Sequence, residues 1–385
     1  MSNNYLKMIL NSRVYDVASK TPLDFAKNLS RRLANDIWLK REDLQPVFSF
    51  KLRGAYNKIA RLSEADCANG IIAASAGNHA QCVALAAQHR SIKALIVMPR
   101  TTPGIKVKAV QTLGGKTLLH GDTYDEAYTH ALQLAEQRSM LFIHPYDDPE
   151  VIAGQGTIAM ELLQQHRDGL DAVFVPIGGG GLIAGIAAYI KALRPEIRVI
   201  GVEPEDAPCM YEALKRKRRV VLDQVGIFAD GVAVRQAGKE PYRLARKYVD
   251  EVILVSTDEI CAATKDIFDD TRAMVEPAGA LAVAAIKKYV KQTAAQGQKL
   301  VAIISGANIN FDRLRHVAER AEIGERREAL LAVTIPERPG SFLKFCRTIG
   351  KRGITEFNYR YADAADAHVF AGVQLGGGDE ERAEL

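Results

Sequence analysis

Long apolar runs are absent from this 385-residue sequence, and their absence excludes one class of protein. No run reaches the roughly 20 residues that a membrane-spanning helix needs. The N-terminal segment MSNNYLKMIL also lacks the extended apolar core of a signal peptide. We therefore expect a cytoplasmic protein that has no membrane partner.

Cysteine is scarce, and its five copies show no pattern. They lie far apart, without the spacing of a metal site: Cys67, Cys82, Cys209, Cys261 and Cys346. Scattered thiols of this kind are typical of a reducing compartment. The sequence therefore predicts no metal centre.

A strong charge of one sign is also missing, because the net charge is only +5. The one dense basic run covers residues 215–219, and neither aromatic residues nor a recognisable binding module accompany it. We interpret this run as a solvated loop or helix end. No nucleic-acid partner is expected.

Short apolar segments alternate with helical stretches through most of the chain. The candidate strands are residues 70–75, 93–99, 116–121, 171–178, 198–204, 251–256 and 299–306. Their near-continuous apolar character indicates strands that are buried on both faces. With helices between them, they predict an α/β fold built on parallel sheets, whose ligands bind at the carboxyl ends of the strands.

The composition changes near residue 320, where a charged stretch begins. Beyond it the pattern predicts strand, helix, strand and strand, followed by the start of a second helix at GGGDEERAEL. A split βαβ module would add the rest of that helix and a final strand. We therefore interpret the tail as an incomplete module.

A lysine opens an amphipathic helix in PVFSFKLRGAYNKI, residues 46–59. Apolar residues recur there at helical spacing: Leu52, Ala55, Tyr56 and Ile59. Ser49 is a candidate cap, which places Lys51 in the first turn. Because the positive end of a helix disfavours an ammonium group, Lys51 is a candidate reactive amine.

The segment VFVPIGGGGLIAG is the most specific local signal. Gly178, Gly179, Gly180 and Gly181 follow a buried strand and precede an apolar helix. Glycines let backbone amides approach an anion, so the loop is a candidate phosphate site. The same letters loosely satisfy the G-x-G-x-x-G dinucleotide fingerprint, with Glu203 as a strand-end acid for the ribose. A nicotinamide-dependent oxidoreductase therefore stays open as an alternative.

Two further turns place polar groups at strand ends. In ASAGNHAQ, residues 74–81, backbone amides are suited to a carboxylate, and Asn78 can both donate and accept hydrogen bonds. His79 fits a capping or packing residue better than a general base. Ser305 adds a hydroxyl at the start of SGANIN. A reactive lysine, a phosphate cradle, an oxyanion cradle and a serine together suit pyridoxal phosphate.

The motifs SFKLRGA, SAGNHAQ, GGGGL, EPAGA and SGAN, in this order, resemble the pyridoxal-phosphate enzymes of the tryptophan-synthase-β-like fold (fold type II). More closely, they resemble the biosynthetic threonine deaminases. This likeness implies a large and a small parallel-sheet domain with pyridoxal 5'-phosphate in the cleft between them, and an ACT-like tail. The implied domains are a catalytic unit at 1–320, with subdomains at 1–41 plus 146–320 and at 42–145, and a partial regulatory unit at 328–385.

The same resemblance implies roles for individual residues. Lys51, next to Phe50, would bond the cofactor aldehyde, Ser305 would face the pyridine nitrogen, and Asn78 would hydrogen-bond the phenolic oxygen. The phosphate would be held by the backbone amides of Gly178, Gly179, Gly180, Gly181 and Leu182. The substrate would be surrounded by Ser75, Ala76, Gly77, Asn78 and His79. Glu276, in the EPAGA motif, is either a site residue or a helix-start residue.

The implied reaction is deamination of L-threonine to 2-oxobutanoate and ammonia, the first step towards isoleucine, with a side activity on L-serine. The alternatives are a serine dehydratase or racemase, the oxidoreductase already named, and an amino-acid sensor with an inert catalytic half. Similar racemases carry a serine at the position of Ala76, so we expect weak racemisation. We also expect a homo-oligomer, either tetramer or dimer, and weak or no inhibition by isoleucine.

Overall fold

The computed structural model describes residues 4–311, 313–324, 328–361, 366–376 and 378–385. The strands are β1 (Leu23–Phe25), β2 (Asp36–Arg41), β3 (Ile71–Ala74), β4 (Ala94–Met98), β5 (Lys116–Leu119), β6 (Leu141–Phe142), β7 (Ala172–Pro176), β8 (Arg198–Pro204), β9 (Glu251–Val255), β10 (Lys299–Ile304), β11 (Glu328–Pro336), β12 (Ile354–Tyr361) and β13 (Asp366–Gln374). The α-helices are α1 (Tyr5–Leu10), α2 (Lys27–Leu33), α3 (Lys51–Ala60), α4 (Glu64–Cys67), α5 (Asn78–His89), α6 (Gly104–Thr112), α7 (Tyr124–Gln137), α8 (Pro149–Gln165), α9 (Gly181–Leu193), α10 (Cys209–Lys215), α11 (Lys239–Tyr248), α12 (Thr257–Thr271), α13 (Pro277–Thr293), α14 (Arg313–Gly324), α15 (Ser341–Ile349) and α16 (Gly378–Glu384). Among the described helices, none has the length and apolar character needed to cross a membrane.

The larger parallel sheet has the strand order β1-β2-β10-β7-β8-β9, and only the edge strand β1 runs antiparallel to its neighbour. The apolar runs of the sequence predict four of these strands, β7 to β10. Successive side chains of a strand point to opposite faces. Val173 and Val175 accordingly pack into the core under α8 and α9, whereas Phe174 packs into the core under α13. Burial of both faces explains the consecutive apolar residues.

The smaller sheet has the order β5-β4-β3-β6 and is parallel throughout. Helices α3 and α5 cover one face, where Leu52 and Val83 share a core with Ile71. Helix α7 covers the other face, where Ala127 shares a core with Ile72. The two parallel sheets confirm the predicted α/β class, with a large and a small sheet-based unit.

The C-terminal part follows the predicted order of strand, helix, strand, strand and helix, formed by β11, α15, β12, β13 and α16. Strand β13 lies between β11 and β12 in an antiparallel sheet. Phe345 and Ile349 of α15 pack with Val369 and Val373 of β13. This part of the chain therefore has a small core of its own.

Three strands are not predicted from the sequence. Strands β1 and β6 have only 3 and 2 residues, which is too short for a periodic signal. Strand β2 reads DIWLKR and ends in Lys40 and Arg41, both of which are buried. Lysine and arginine are rarely buried without a partner, so this ending does not indicate an interior strand.

A buried cluster of charges explains the end of β2. Lys40 Nζ lies 2.6 Å from Glu161 Oε2, and Arg53 contacts Glu161 at 2.6 Å and Glu42 at 2.7 Å. All four side chains are at most 1% exposed. Burial opposes the charge of Arg53, but the two carboxylates raise the pKa of its guanidinium. The cluster joins β2, α3 and α8, and it fixes the start of α3 because Arg53 lies in its first turn.

We expect Glu161→Gln to lower the free energy of unfolding by about 3 kcal/mol, because it leaves Lys40 and Arg53 buried with too little compensating charge. The measurement is the shift of the denaturant midpoint. The matched control is Glu251→Gln, which breaks an ion pair with Arg198 whose two side chains are 42% and 43% exposed. That control should shift the unfolding free energy by about 0.5 kcal/mol or less. Equal shifts in the two variants would contradict the prediction.

Candidate active site

The loops at the carboxyl ends of the two parallel sheets meet in one cleft. The turn after β3 contacts the segment before α13 through a hydrogen bond from Asn78 to Glu276. The segment before α3 pairs with the loop after β10 through a bridge between Ser49 and Gly306. Ligands of open α/β sheets bind at this edge, so the cleft is the candidate site.

Lys51 is the first residue of α3, as predicted. The prediction that Ser49 caps this helix is wrong, because Phe50 occupies the cap position and forms no side-chain cap bond. The backbone of Ser49 is held by its pairing with Gly306, and its hydroxyl accepts only a long 3.4 Å bond from the Lys51 N–H. The first turn of α3 is thus fixed by backbone pairing across the cleft.

The Lys51 amine is held by weak contacts. Nζ donates to the Gly231 carbonyl oxygen at 3.3 Å and lies 5.2 Å from the centre of the Phe50 ring. Within the described ranges, no carboxylate oxygen lies within 4.0 Å of Nζ. An amine without an ion pair is available for bond formation with an aldehyde.

Asn78 and Glu276 form a buried pair between the two sheet units. Asn78 opens α5, and its Nδ2 donates to Glu276 Oε1 at 2.7 Å. Glu276 precedes Pro277 at the start of α13, but its side chain does not cap that helix. Burial raises the pKa of the Glu276 carboxyl, and nearby Lys51 acts in the opposite direction. Glu276 is therefore both a helix-start residue and a residue of the cleft.

Ser305 directly follows β10 and is buried, with its hydroxyl donating to the Ala278 carbonyl oxygen at 3.2 Å. Its neighbour Gly306 is tightly enclosed. A Cβ atom on Gly306 would lie 2.7 Å from Glu276 Oε1 and 3.0 Å from the Phe48 carbonyl oxygen. Any side chain at residue 306 would therefore displace the segment that carries Lys51.

The glycine loop joins β7 to α9, and Gly180 has φ of 93°, in the left-handed region that favours glycine. A Cβ on Gly179 would lie 2.3 Å from the ring of Tyr146. The backbone N–H groups of residues 178–182 donate to no acceptor in the described part of the chain. Buried N–H groups normally have partners, so this row of donors at a helix N-terminus is suited to an anion.

In the turn at residues 75–79, Ala76 and Gly77 are partly exposed, whereas Ser75, Asn78 and His79 are buried. The Ser75 hydroxyl accepts the Gly77 N–H at 3.1 Å. A Cβ on Gly77 would meet no atom within 4 Å among the described residues, and Ala76 is also partly exposed. The imidazole of His79 is used inside the protein, because its Nε2 donates to the Ile143 carbonyl oxygen at 3.0 Å. Burial lowers the pKa of His79 to about 4, which agrees with a packing role rather than a general base.

Glu203 does not serve as the ribose acid of a dinucleotide site. Its Oε1 and Oε2 accept the N–H groups of Met210 and Tyr211, each at 2.8 Å. The carboxyl is fully buried and caps the first turn of α10, and burial raises its pKa to about 8. Both oxygens are therefore used inside the protein, which argues against the nicotinamide alternative.

The cleft has the donor set that pyridoxal phosphate requires. Backbone N–H groups without an acceptor among the described residues suit the phosphate, and an amine without an ion pair there suits the aldehyde. The hydroxyl of Ser305 and the amide of Asn78 suit the ring atoms. Metal ligands do not gather in the same way. The described residues include no group of three or more His, Cys, Asp or Glu side chains that could hold a metal ion.

Three contributors to the cleft are missed by sequence reasoning. Gly231 supplies a carbonyl oxygen for Lys51, Tyr146 packs on the glycine loop, and Asn308 bonds to Asn78. Gly231 and Tyr146 lie in connecting segments without a motif. Asn308 belongs to the quoted SGANIN segment, so its amide was a visible signal, but its partner at residue 78 is not readable from the sequence.

Comparison with known proteins agrees with this chemistry. Residues 14–306 match the family "Pyridoxal-phosphate dependent enzyme", and residues 319–385 match the "C-terminal regulatory domain of Threonine dehydratase". The chain is 58% identical to the biosynthetic L-threonine dehydratase IlvA of Burkholderia multivorans over 377 residues, which are 97% of this chain and 74% of that protein. The Escherichia coli protein of the same name is 55% identical over 381 residues, with 99% and 74% covered.

Solved structures give the same picture. The processed form of threonine deaminase isoform 2 from Solanum lycopersicum superposes with a TM-score of 0.81 at 49% identity, covering 83% of this chain and 88% of that one. Maize serine racemase superposes with a TM-score of 0.77 at 32% identity, covering 82% and 97%. The catalytic part of the fold is thus shared by deaminases and racemases.

We expect Gly180→Ala to weaken cofactor retention, because its Cβ would lie 2.6 Å from Met210 Cε at a left-handed φ and would shift the row of N–H donors. The measurement is bound cofactor per chain after dialysis. Gly340→Ala is the matched control, since Gly340 has φ of 94° but nothing within 4 Å of its Cβ position. Equal cofactor content in Gly180→Ala and the parent would remove the phosphate role from this loop.

Proposed function

We propose that this chain, which belongs to the family of pyridoxal-phosphate-dependent enzymes, is a biosynthetic threonine dehydratase that converts L-threonine into 2-oxobutanoate and ammonia. One observation carries the proposal. The Lys51 amine, the backbone N–H donors of the glycine loop and the Asn78 amide all lie around Gly231. Lys51 Nζ donates to the Gly231 carbonyl oxygen, the neighbouring Val232 packs on Gly178, and Glu276, the partner of Asn78, packs on Gly231. The identity to proteins named threonine dehydratase supports threonine as the substrate.

Each residue of the cleft has a distinct task. When bound, pyridoxal phosphate supplies an aldehyde for the substrate amine and a ring that withdraws electrons from the α-carbon. Lys51 would hold that aldehyde at rest and, once the substrate amine has displaced it, its free amine would remove the α-proton. Backbone N–H groups of Gly178, Gly179, Gly180, Gly181 and Leu182 hold the phosphate. The backbone turn of residues 75–79 binds the substrate carboxylate.

Ser305 sets the character of the reaction. Its hydroxyl is a neutral partner for the ring nitrogen, whereas a carboxylate would hold that nitrogen protonated and let more negative charge collect in the ring. With this neutral partner, less negative charge would collect in the ring, which would favour prompt loss of the β-hydroxyl. Loss of water and hydrolysis of the resulting enamine give the 2-oxo acid and ammonia.

L-Serine is a second substrate in this proposal, because it differs from threonine by one β-methyl group, which a pocket discriminates by only about 10- to 200-fold. Racemisation of serine should be weak. The methyl group of Ala76 cannot deliver a proton to the opposite face of the substrate.

The proposed domains are a catalytic unit at 1–320, with subdomains at 1–41 plus 146–320 and at 42–145, and a regulatory unit at 328–385. The separate cores and the two family matches support this division. The N-terminal segment contributes to both catalytic cores, with Ile9 in the larger and Val14 in the smaller. A cytoplasmic location is supported by the five cysteines, which are all free.

We expect Lys51→Ala to abolish formation of 2-oxo acid from both threonine and serine, because no other group is proposed to hold the aldehyde and remove the α-proton. The control is Lys58→Ala, which changes a lysine of the same helix that pairs with Asp148. It should keep activity. Borohydride reduction should label the peptide that contains Lys51 in the parent. A label on a different lysine, or full activity of Lys51→Ala, would contradict the assignment.

A homo-oligomer is the proposed assembly, either a tetramer or a dimer. The regulatory unit exposes an aromatic cluster. The centre of the Phe342 ring lies 5.4 Å from the ring centre of Phe357 and 5.9 Å from that of Tyr359, and each of the three residues is at least 40% exposed. Contiguous apolar surface of this kind is typical of an interface.

Light scattering should give two or four chains per particle, and Phe342→Ser should lower that number or weaken association. A monomer at micromolar concentration would refute the assembly.

A further inference from the structure

Asn308 lies at the centre of a hydrogen-bonded chain across the cleft. Its Nδ2 donates to the Val47 carbonyl oxygen at 2.9 Å and to Asn78 Oδ1 at 2.7 Å. Asn78 Nδ2 in turn donates to Glu276 Oε1 at 2.7 Å. These three hydrogen bonds thus connect the segment that leads to Lys51, the start of α5 and the start of α13.

This arrangement determines which way the Asn78 amide faces. An amide can exchange its oxygen and nitrogen by turning over, and its hydrogen-bond partners decide between the two orientations. Here Asn308 presents an N–H group, so only the oxygen of Asn78 fits against it. The nitrogen of Asn78 is therefore directed towards Glu276, and the second N–H group of that nitrogen meets no acceptor among the described residues.

We propose that Asn308 is a positioning residue that holds the Asn78 amide with its remaining N–H available to the ring oxygen of the cofactor. The inference rests on the proposed function, in which Asn78 bonds that oxygen. Glu276 cannot hold the orientation by itself. If Glu276 is protonated, its carboxyl can donate a hydrogen bond to the oxygen of an Asn78 amide in the reversed orientation, so Glu276 fits both orientations. Burial raises the pKa of Glu276 and thus favours the protonated form. Asn308 removes the ambiguity because its nitrogen can only donate.

Loss of Asn308 should change the electronic state of the bound cofactor. An N–H group that bonds an ionised oxygen stabilises the ionised form, and an amide oxygen in the same place opposes it. Asn308→Ala should therefore shift the absorption spectrum of the holoenzyme towards the form with a neutral ring oxygen. We expect kcat/KM to fall about tenfold, mainly through kcat, as for loss of one hydrogen bond to a charged group.

The test is a double-mutant cycle on the holoenzyme, with Asn308→Ala, Asn78→Ala and the double variant. If Asn308 acts through Asn78, adding Asn308→Ala to Asn78→Ala should leave the spectrum unchanged and alter kcat/KM by less than about twofold. Asn310→Ala is the control, because Asn310 lies in the same loop and its side chain forms no hydrogen bond among the described residues. It should match the parent.

Two outcomes would overturn the inference. One is an unchanged spectrum in Asn308→Ala with full cofactor content. The other is a loss of kcat/KM on Asn308→Ala that is equally large in the parent and in the Asn78→Ala variant. That result would mean that Asn308 acts through its bond to Val47 alone. The spectra do not depend on the substrate, so a parent protein that binds the cofactor but does not deaminate threonine would refute only the proposed function.

Discussion

The buried ion cluster of Lys40, Glu42, Arg53 and Glu161 is the constraint on which the geometry of the cleft depends. It joins the larger sheet to two helices that cover the cores, and Arg53 lies only two residues after Lys51. Four buried charges are stable only in well-matched geometry, so the cluster tolerates one arrangement of β2, α3 and α8. Lys51 is fixed by the same requirement, although its own amine has only weak contacts.

The glycine loop differs from the ion cluster, because its backbone N–H groups have no hydrogen-bond partner in the described part of the chain. An unpaired buried N–H group costs free energy, and the glycine loop contains a row of them at the start of α9. Because these donors have no other acceptor among the described residues, a phosphate at the start of α9 would gain their hydrogen bonds without breaking existing ones. The packing of Tyr146 against Gly179 keeps the loop in this shape.

Much of the fold could be predicted from the sequence, because strands buried on both faces of a parallel sheet appear as short apolar runs. Strand β2 could not be predicted, since Lys40 and Arg41 are acceptable in the interior only through partners elsewhere in the chain. The site divides in the same way. Lys51 and the glycine loop are visible as local motifs, whereas the bond between Asn78 and Asn308 joins residues 230 positions apart. Such a pairing exists only once both sheets have formed.

The ion pairs that hold the segment around Gly231 are more exposed than those of the buried ion cluster. Lys106 of α6 pairs with Asp230, and Arg235 pairs with Asp125 at the start of α7, so two ion pairs hold the segment around Gly231 against the smaller sheet unit. Partly exposed pairs contribute roughly 0.2–1 kcal/mol each, against roughly 3–5 kcal/mol when one partner of a buried pair is removed. Removing one of these two ion pairs should therefore lower the free energy of unfolding much less than removing one member of the buried ion cluster.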